Sequence, residues 1–205
     1  NSNAVAELVF GMTVMMARNL YNGTSGTELK GKKLGIHAFG QVGRNVARIA
    51  KGFGMEVFAF DPYCPASVME AEGVKPITDI NELYSTCQYV SLHIPATNET
   101  KKSINYALLK QMPKGAMLIN TARKEVINEE ELVQIMDERP DFRYVSDITP
   151  DNASVFAEKF TGRYFFTPKK MGAQTAEANI NAGIAAAKQS VGFLKEGIDK
   201  FKVNK

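Results

Sequence analysis

Three residues, Gly40, Gly43 and Asp61, have the types and spacing to hold a dinucleotide, and they fall within one stretch, residues 33–61. Residues 34–39 form an apolar run that His37 alone interrupts. After Gly40 apolar residues recur at helical spacing as Val42, Val46, Ile49, Ala50 and Phe53. The change of period predicts a buried strand, a tight turn and an amphipathic helix. At such a turn Gly40 lets the backbone approach a pyrophosphate, Gly43 lets the helix pack on the strand, and the free N–H groups of the helix start point at the phosphates. Asp61 closes the next strand at the distance where an acid accepts hydrogen bonds from the adenosine ribose. It would also repel a 2′-phosphate, which favours NAD over NADP. The pattern is A-x-G-x-x-G, with Ala38 in place of the first glycine, so a slightly altered first turn is expected. A glycine pair at a strand-to-helix turn can serve packing alone; here the period switch, the acid and the strands that follow favour dinucleotide binding.

The elements that must position these residues follow from the rest of the chain. Its 205 residues are 44% hydrophobic and 23% charged, enough for one substantial core in an ordinary globular protein. Lysines are scattered rather than gathered into a stripe, and the formal charge is only +3, which argues against a nucleic-acid partner and leaves small anionic substrates compatible. No apolar run is long enough to span a membrane, and the first residues lack the basic region of a signal peptide. Cys64 and Cys87 have no metal-type spacing, so no metal is expected. Read as reduced thiols, they point to the cytoplasm.

Residues 1–20 read as a long helix whose apolar face includes Leu8, Val9, Met12 and Met16. That face lies outside the nucleotide-binding unit and needs a cover, for which a second subunit is one candidate and intramolecular packing the other. A loop over 21–32 leads to the first strand. Further strands are expected over 74–77, 89–93, 116–119 and 144–147. They alternate with helices at 66–72, around Leu83, 105–110, 129–138 and near Phe156, and a long alanine-rich helix ends the pattern over about 173–195. This alternation predicts an α/β fold with a doubly wound parallel sheet and flanking N- and C-terminal helices. The loop after the strand at 89–93 lies at the carboxyl end of the sheet, where such folds place ligands.

These residues resemble the D-isomer-specific 2-hydroxyacid dehydrogenases. The resemblance rests on the 38–43 turn, Asp61-Pro62, SLHIPATNET at 91–100, NTAR at 120–123, SD at 146–147 and TP at 167–168. In order and spacing these cover nearly the whole chain. NTARKE, KMGAQT and NINAG are most similar to the branch acting on 3-phosphoglycerate. The resemblance implies a Rossmann fold, NAD as cofactor and an anionic small-molecule substrate. Association through this domain, and hence a homodimer, is implied as well. It places Gly40, Gln41, Val42, Gly43, Asp61, Pro62, His93, Pro95, Thr100, Thr121 and Asp147 against the cofactor, with Asp147 on the nicotinamide carboxamide. Arg123 is implied as the residue that grips the substrate carboxylate, a role suited to a planar guanidinium at a strand exit. Thr97 and Thr100 serve equally well as turn residues.

Two family features are missing. The histidine that follows TP is replaced by Lys170, with Lys169 as the other possibility, and the glutamate after Asp147 has only Asp151 as a nearby acid. His37 falls inside the first strand as a core residue, and His93 ends the fourth as a structural or cofactor-lining one. The resemblance further implies a substrate domain built mainly from residues ahead of this stretch, so the 205 residues read as an NAD-binding domain whose isolated turnover is doubtful. A rival reading is a regulatory module that senses NAD(H) without turnover; retention of Arg123 favours the enzyme.

Overall fold

The computed structural model describes residues 1–199. In chain order its elements are α1 (Ser2–Ala17), β1 (Lys33–His37), α2 (Gln41–Gly52), β2 (Glu56–Phe60), α3 (Ala66–Ala71), β3 (Lys75–Pro76), α4 (Ile80–Thr86) and β4 (Tyr89–Leu92). There follow α5 (Tyr106–Leu109), β5 (Met117–Asn120), α6 (Glu129–Glu138), β6 (Arg143–Ser146), α7 (Ala153–Lys159), β7 (Tyr164–Phe166) and α8 (Ala176–Glu196). The seven strands form one sheet in the order β3-β2-β1-β4-β5-β6-β7, with every pair parallel. The expected doubly wound parallel sheet is therefore present.

Central strands β4 and β5 are buried at every residue, which is why they read in sequence as mainly apolar runs. One face of the sheet is covered by α1 and α2, and the other by α4, α5, α6 and α7, giving two core layers. Helix α2 buries Val46, Ala47 and Ala50 and turns Arg44, Arg48 and Lys51 outward, the two-faced pattern its spacing predicts. Two helix starts carry side-chain caps: Asp79 accepts from Asn81 N–H at 2.9 Å, and Thr175 accepts from Ala178 N–H at 3.1 Å. Strand β7 was not expected as a strand. It is three half-buried residues at the sheet edge, too short to show a period.

The N-terminal helix settles against its own chain. Ala6, Val9, Phe10, Met12, Met16 and Ala17 are buried, α1 packs on α2 and reaches β6 and β7, and the Phe10 ring stacks on Phe53 at 5.0 Å. Much of the apolar face that called for a cover is thus filled by intramolecular packing, with Leu8 left half-buried. Exposed apolar side chains gather instead on α8, where Ile180, Ile184, Val191, Phe193 and Leu194 are open and only Ala178 is buried. Residues 200–205 of the expected C-terminal segment lie outside the described residues.

Candidate functional site

The strand order reverses direction between β1 and β4, and the turn leaving β1 opens at that switch point. Ala38 donates its N–H to Phe60 O at 2.9 Å, and Phe39 N–H reaches Asp61 Oδ2 at 2.8 Å, so the end of β2 is tied to the turn. Instead of altering the turn, Ala38 adopts φ +81°, the left-handed region a glycine would occupy freely. An alanine held there costs about 1 kcal/mol. At Gly43 a Cβ would sit 2.4 Å from Ala38 O and 3.0 Å from Ile36 Cγ2, so only glycine lets α2 lie this close to β1. Gly40 caps α2 with no side-chain bond, and a Cβ there would meet nothing within 4 Å. The first turn of the helix therefore opens at Gly40, where backbone donors can meet a pyrophosphate, while Gly43 is packed against β1. Asp61 takes a second N–H from Tyr63 at 2.8 Å and keeps lone pairs for a ribose diol, with Pro62 exposed beside it.

The other end of the crevice is a cleft of about 440 Å³. It gathers five of the expected residues, Val42, His93, Pro95, Thr121 and Arg123, from the exits of β4 and β5 and the start of α2. Asn120, fully buried at the end of β5, shapes that exit. Its amide donates to Arg123 O at 3.0 Å, and its Oδ1 accepts from Ala122 N–H at 2.9 Å, which turns Arg123 outward into the cleft. Lys170 arrives from far along the chain. Its Nζ donates to Ala122 O at 2.5 Å and Thr121 O at 3.1 Å, placing the ammonium against the same strand exit as Arg123. Lys169 is exposed.

Asp147 anchors the turn that follows β7. Only 1% exposed, it accepts from Thr167 Oγ1 at 3.0 Å and from the N–H groups of Met171 at 2.8 Å and Gly172 at 2.7 Å. Both oxygens bond the turn that carries Lys170, so Asp147 positions that turn. The Thr100 hydroxyl bonds Pro95 O at 2.5 Å and meets Thr97 Oγ1 at 3.1 Å, which braces the loop around Pro95. Asp151 is paired with Lys124 at 2.5 Å and so does not stand in for the missing glutamate. The signals that could have found Asn120 and Asp147 are small polar residues at strand ends next to a turn.

Desolvation pushes the Lys170 ammonium below its usual range, and neighbouring Arg123 pushes further the same way, against the weaker pull of Asp147 and Glu125. Burial acts on both histidines: His37 is pushed down to about 4, with its Nδ1 3.2 Å from Tyr84 OH. His93 is pushed down to about 3 by burial and then by His37; it keeps some surface on the cleft, but protein encloses its ring, with Nε2 3.0 Å from Ser91 Oγ. Neutral His93 therefore lines the site as structure, not as an acid or base. An unfolded histidine takes up a proton near 6.5 while these two stay neutral to much lower pH, so the unfolded chain binds the extra protons. Stability should fall as pH drops from about 6.5 toward 4, by about 1.4 kcal/mol per pH unit for each histidine. Urea midpoints at successive pH values test this; a midpoint that stays flat until carboxylates titrate would refute it.

Among the described residues no cluster of three His, Cys, Asp or Glu side chains could hold a metal, Cys64 and Cys87 are free thiols, and no helix is long and apolar enough to cross a membrane. The profile of the D-isomer specific 2-hydroxyacid dehydrogenase NAD binding domain matches residues 4–163. The chain is 32% identical, over its whole length and 41% of the relative's, to D-3-phosphoglycerate dehydrogenase of Methanocaldococcus jannaschii. It is 30% identical to the Haemophilus influenzae enzyme of that name, again over the whole chain and 53% of the relative. The crystal structure of NAD+-bound 3-phosphoglycerate dehydrogenase from Entamoeba histolytica superposes with a TM-score of 0.91 at 46% identity, covering all of this chain and 65% of that one. The chain thus spans about half or less of the length of these curated relatives. A parallel sheet whose glycine turn, ribose acid and strand exits occur in this order, matched over most of its length, belongs to the D-isomer specific 2-hydroxyacid dehydrogenase family as its NAD-binding domain.

Proposed function

We propose that the chain is the cofactor-binding part of an NAD-dependent dehydrogenase that oxidises a D-2-hydroxy acid, with 3-phosphoglycerate as the substrate. The observation that carries this reading is the meeting of Arg123 and the Lys170 ammonium at one strand exit, beside the cleft. A carboxylate gripped by Arg123 puts the adjoining C2 within reach of a base, and Lys170 is the group there able to take the hydroxyl proton. NAD, when bound, supplies the acceptor for the C2 hydride. The chain's own share is to hold the pyrophosphate at residues 40–43 and the ribose at Asp61, to keep His93 neutral, and to aim Arg123 and Lys170 through Asn120 and Asp147. A sensing module without turnover would need neither the carboxylate grip nor a lysine beside it.

Calorimetric titration of the chain should show NADH binding at least about tenfold tighter than NADPH, because Asp61 repels a 2′-phosphate. Equal or tighter NADPH binding would overturn the assignment of Asp61. The whole enzyme should then reduce NAD+ on addition of 3-phosphoglycerate; binding without reduction would favour the sensor. We further propose a cytoplasmic homodimer. Exposed apolar residues on α8 and the half-buried outer side of α1, including Leu8 and Met15, are compatible with association. Sedimentation at micromolar concentration should give twice the 22.5 kDa chain mass, and a clean monomer would count against the dimer.

A further inference from the structure

We infer that Glu72 sets cofactor choice: by engaging Arg44 it withholds a guanidinium from the ribose end of the site and so keeps the chain selective for the dinucleotide without a 2′-phosphate. The inference rests on the NAD-binding reading above and adds a second device to the repulsion by Asp61.

Arg44 directly follows Gly43 on α2, and with Arg48 and Lys51 it forms a cationic outer face of that helix. These three cations and Glu72 line an open cavity of about 350 Å³ beside the dinucleotide turn. Each cation is occupied differently. Arg48 NH2 donates to Asn3 Oδ1 at 2.7 Å and Asn45 Oδ1 at 3.0 Å, turning toward α1. Lys51 donates to the Glu72 main-chain carbonyl. Arg44 alone meets a carboxylate: Nε donates to Glu72 Oε1 at 2.5 Å, and NH2 pairs with the same oxygen. That bond is the main reason the Arg44 guanidinium is held above its usual range.

The pair stands at the ribose end. Arg44 follows Gly43 in the first turn of α2, the turn before it is tied to Asp61 by the Phe39 N–H bond at 2.8 Å, and Cys64 N–H bonds Asp61 O at 3.3 Å. The Arg44 and Glu72 side chains are 41% and 30% exposed, so the pair contributes little to stability and can open at small cost. A 2′-phosphate brings a charge of about −1.5 to −2 and acceptor oxygens that a guanidinium grips in a bidentate fashion. With Glu72 in place, Arg44 has its donors and charge committed, and Asp61 meets the phosphate uncompensated. Without the Glu72 charge, Arg44 can turn to the phosphate and offset Asp61.

The readout is the ratio of the NADPH to the NADH dissociation constant, measured by calorimetry on the 205-residue chain. Glu72→Gln, nearly isosteric at a partly exposed position, should lower that ratio by about tenfold or more at low salt. The drop should shrink as salt rises. Glu72→Asp, which keeps the charge, should retain most of the original ratio, and Arg44→Met combined with Glu72→Gln should restore it. An unchanged ratio in Glu72→Gln overturns the inference, as does a drop that survives removal of Arg44. Should Glu72→Gln not fold, Glu72→Ala gives the same two readings. If the unaltered chain binds neither nucleotide, the NAD-binding reading itself fails, an outcome distinct from an altered chain that binds NADH with the ratio unmoved.

Discussion

Lys170→Met in the whole enzyme is expected to lower kcat by about 10²–10⁴-fold with NADH binding nearly unchanged. An unperturbed lysine titrates near 10.4 and is a poor proton acceptor at neutral pH. Here desolvation and then the neighbouring Arg123 charge disfavour the ammonium. Hydrogen bonds to Thr121 O and Ala122 O hold Nζ at the strand exit, and the Asp147 carboxylate fixes the turn behind it. Oxidation of a hydroxyl needs the neutral amine. The rate should therefore rise with pH through the lowered pKa of Lys170, while the reverse reduction, which needs the ammonium, should fall. Both dependences should vanish in the methionine variant. A variant that keeps kcat and only raises KM would show a binding charge instead, and Lys169 or water would become the next candidate for the base.

Gly43→Ala is expected to destabilise the chain by about 3 kcal/mol and to weaken NADH binding more than tenfold. The added Cβ would stand 2.4 Å from the main-chain carbonyl of Ala38, which no rotamer change can relieve. Helix α2 would have to lift from β1, moving its N–H groups away from the phosphates they serve. The neighbouring substitution should act in the opposite direction. Ala38→Gly removes the strain of φ +81° and should gain about 1 kcal/mol. Urea unfolding and NADH titration of the two variants measure both effects. If Gly43→Ala unfolds at the original midpoint and binds NADH normally, close helix–strand packing is not what the glycine provides.

Much of this arrangement is legible in the amino-acid sequence. The change of period at residues 40–43 marks the β1 to α2 turn, because a buried parallel strand and a two-faced helix leave different apolar spacings. Asp61 can be assigned because its place after the turn is fixed by the length of one helix and one strand. Strand exits at His93, Thr121 and Arg123 can be located for a similar reason, since each ends a run that reads as buried. Lys170, with Lys169 beside it, is singled out only through the family resemblance, as the residue proposed at the place of the family's histidine.

Tertiary packing decided what those signals do not encode. Apolar spacing on α1 says that a face is buried but not against what, and the answer is α2, β6 and β7 of the same chain. Asp147 and Lys170 are far apart in sequence from the atoms they bond, so only the parallel order β5-β6-β7 reveals that one aims the other at Thr121 and Ala122. Glu72 reads as a helix-end acid until the fold sets it against Arg44. Local propensity and periodicity act over one or two turns of chain and so determine the elements and their buried faces. Which charged side chains meet depends on how the sheet orders those elements, a long-range property that only the folded core establishes.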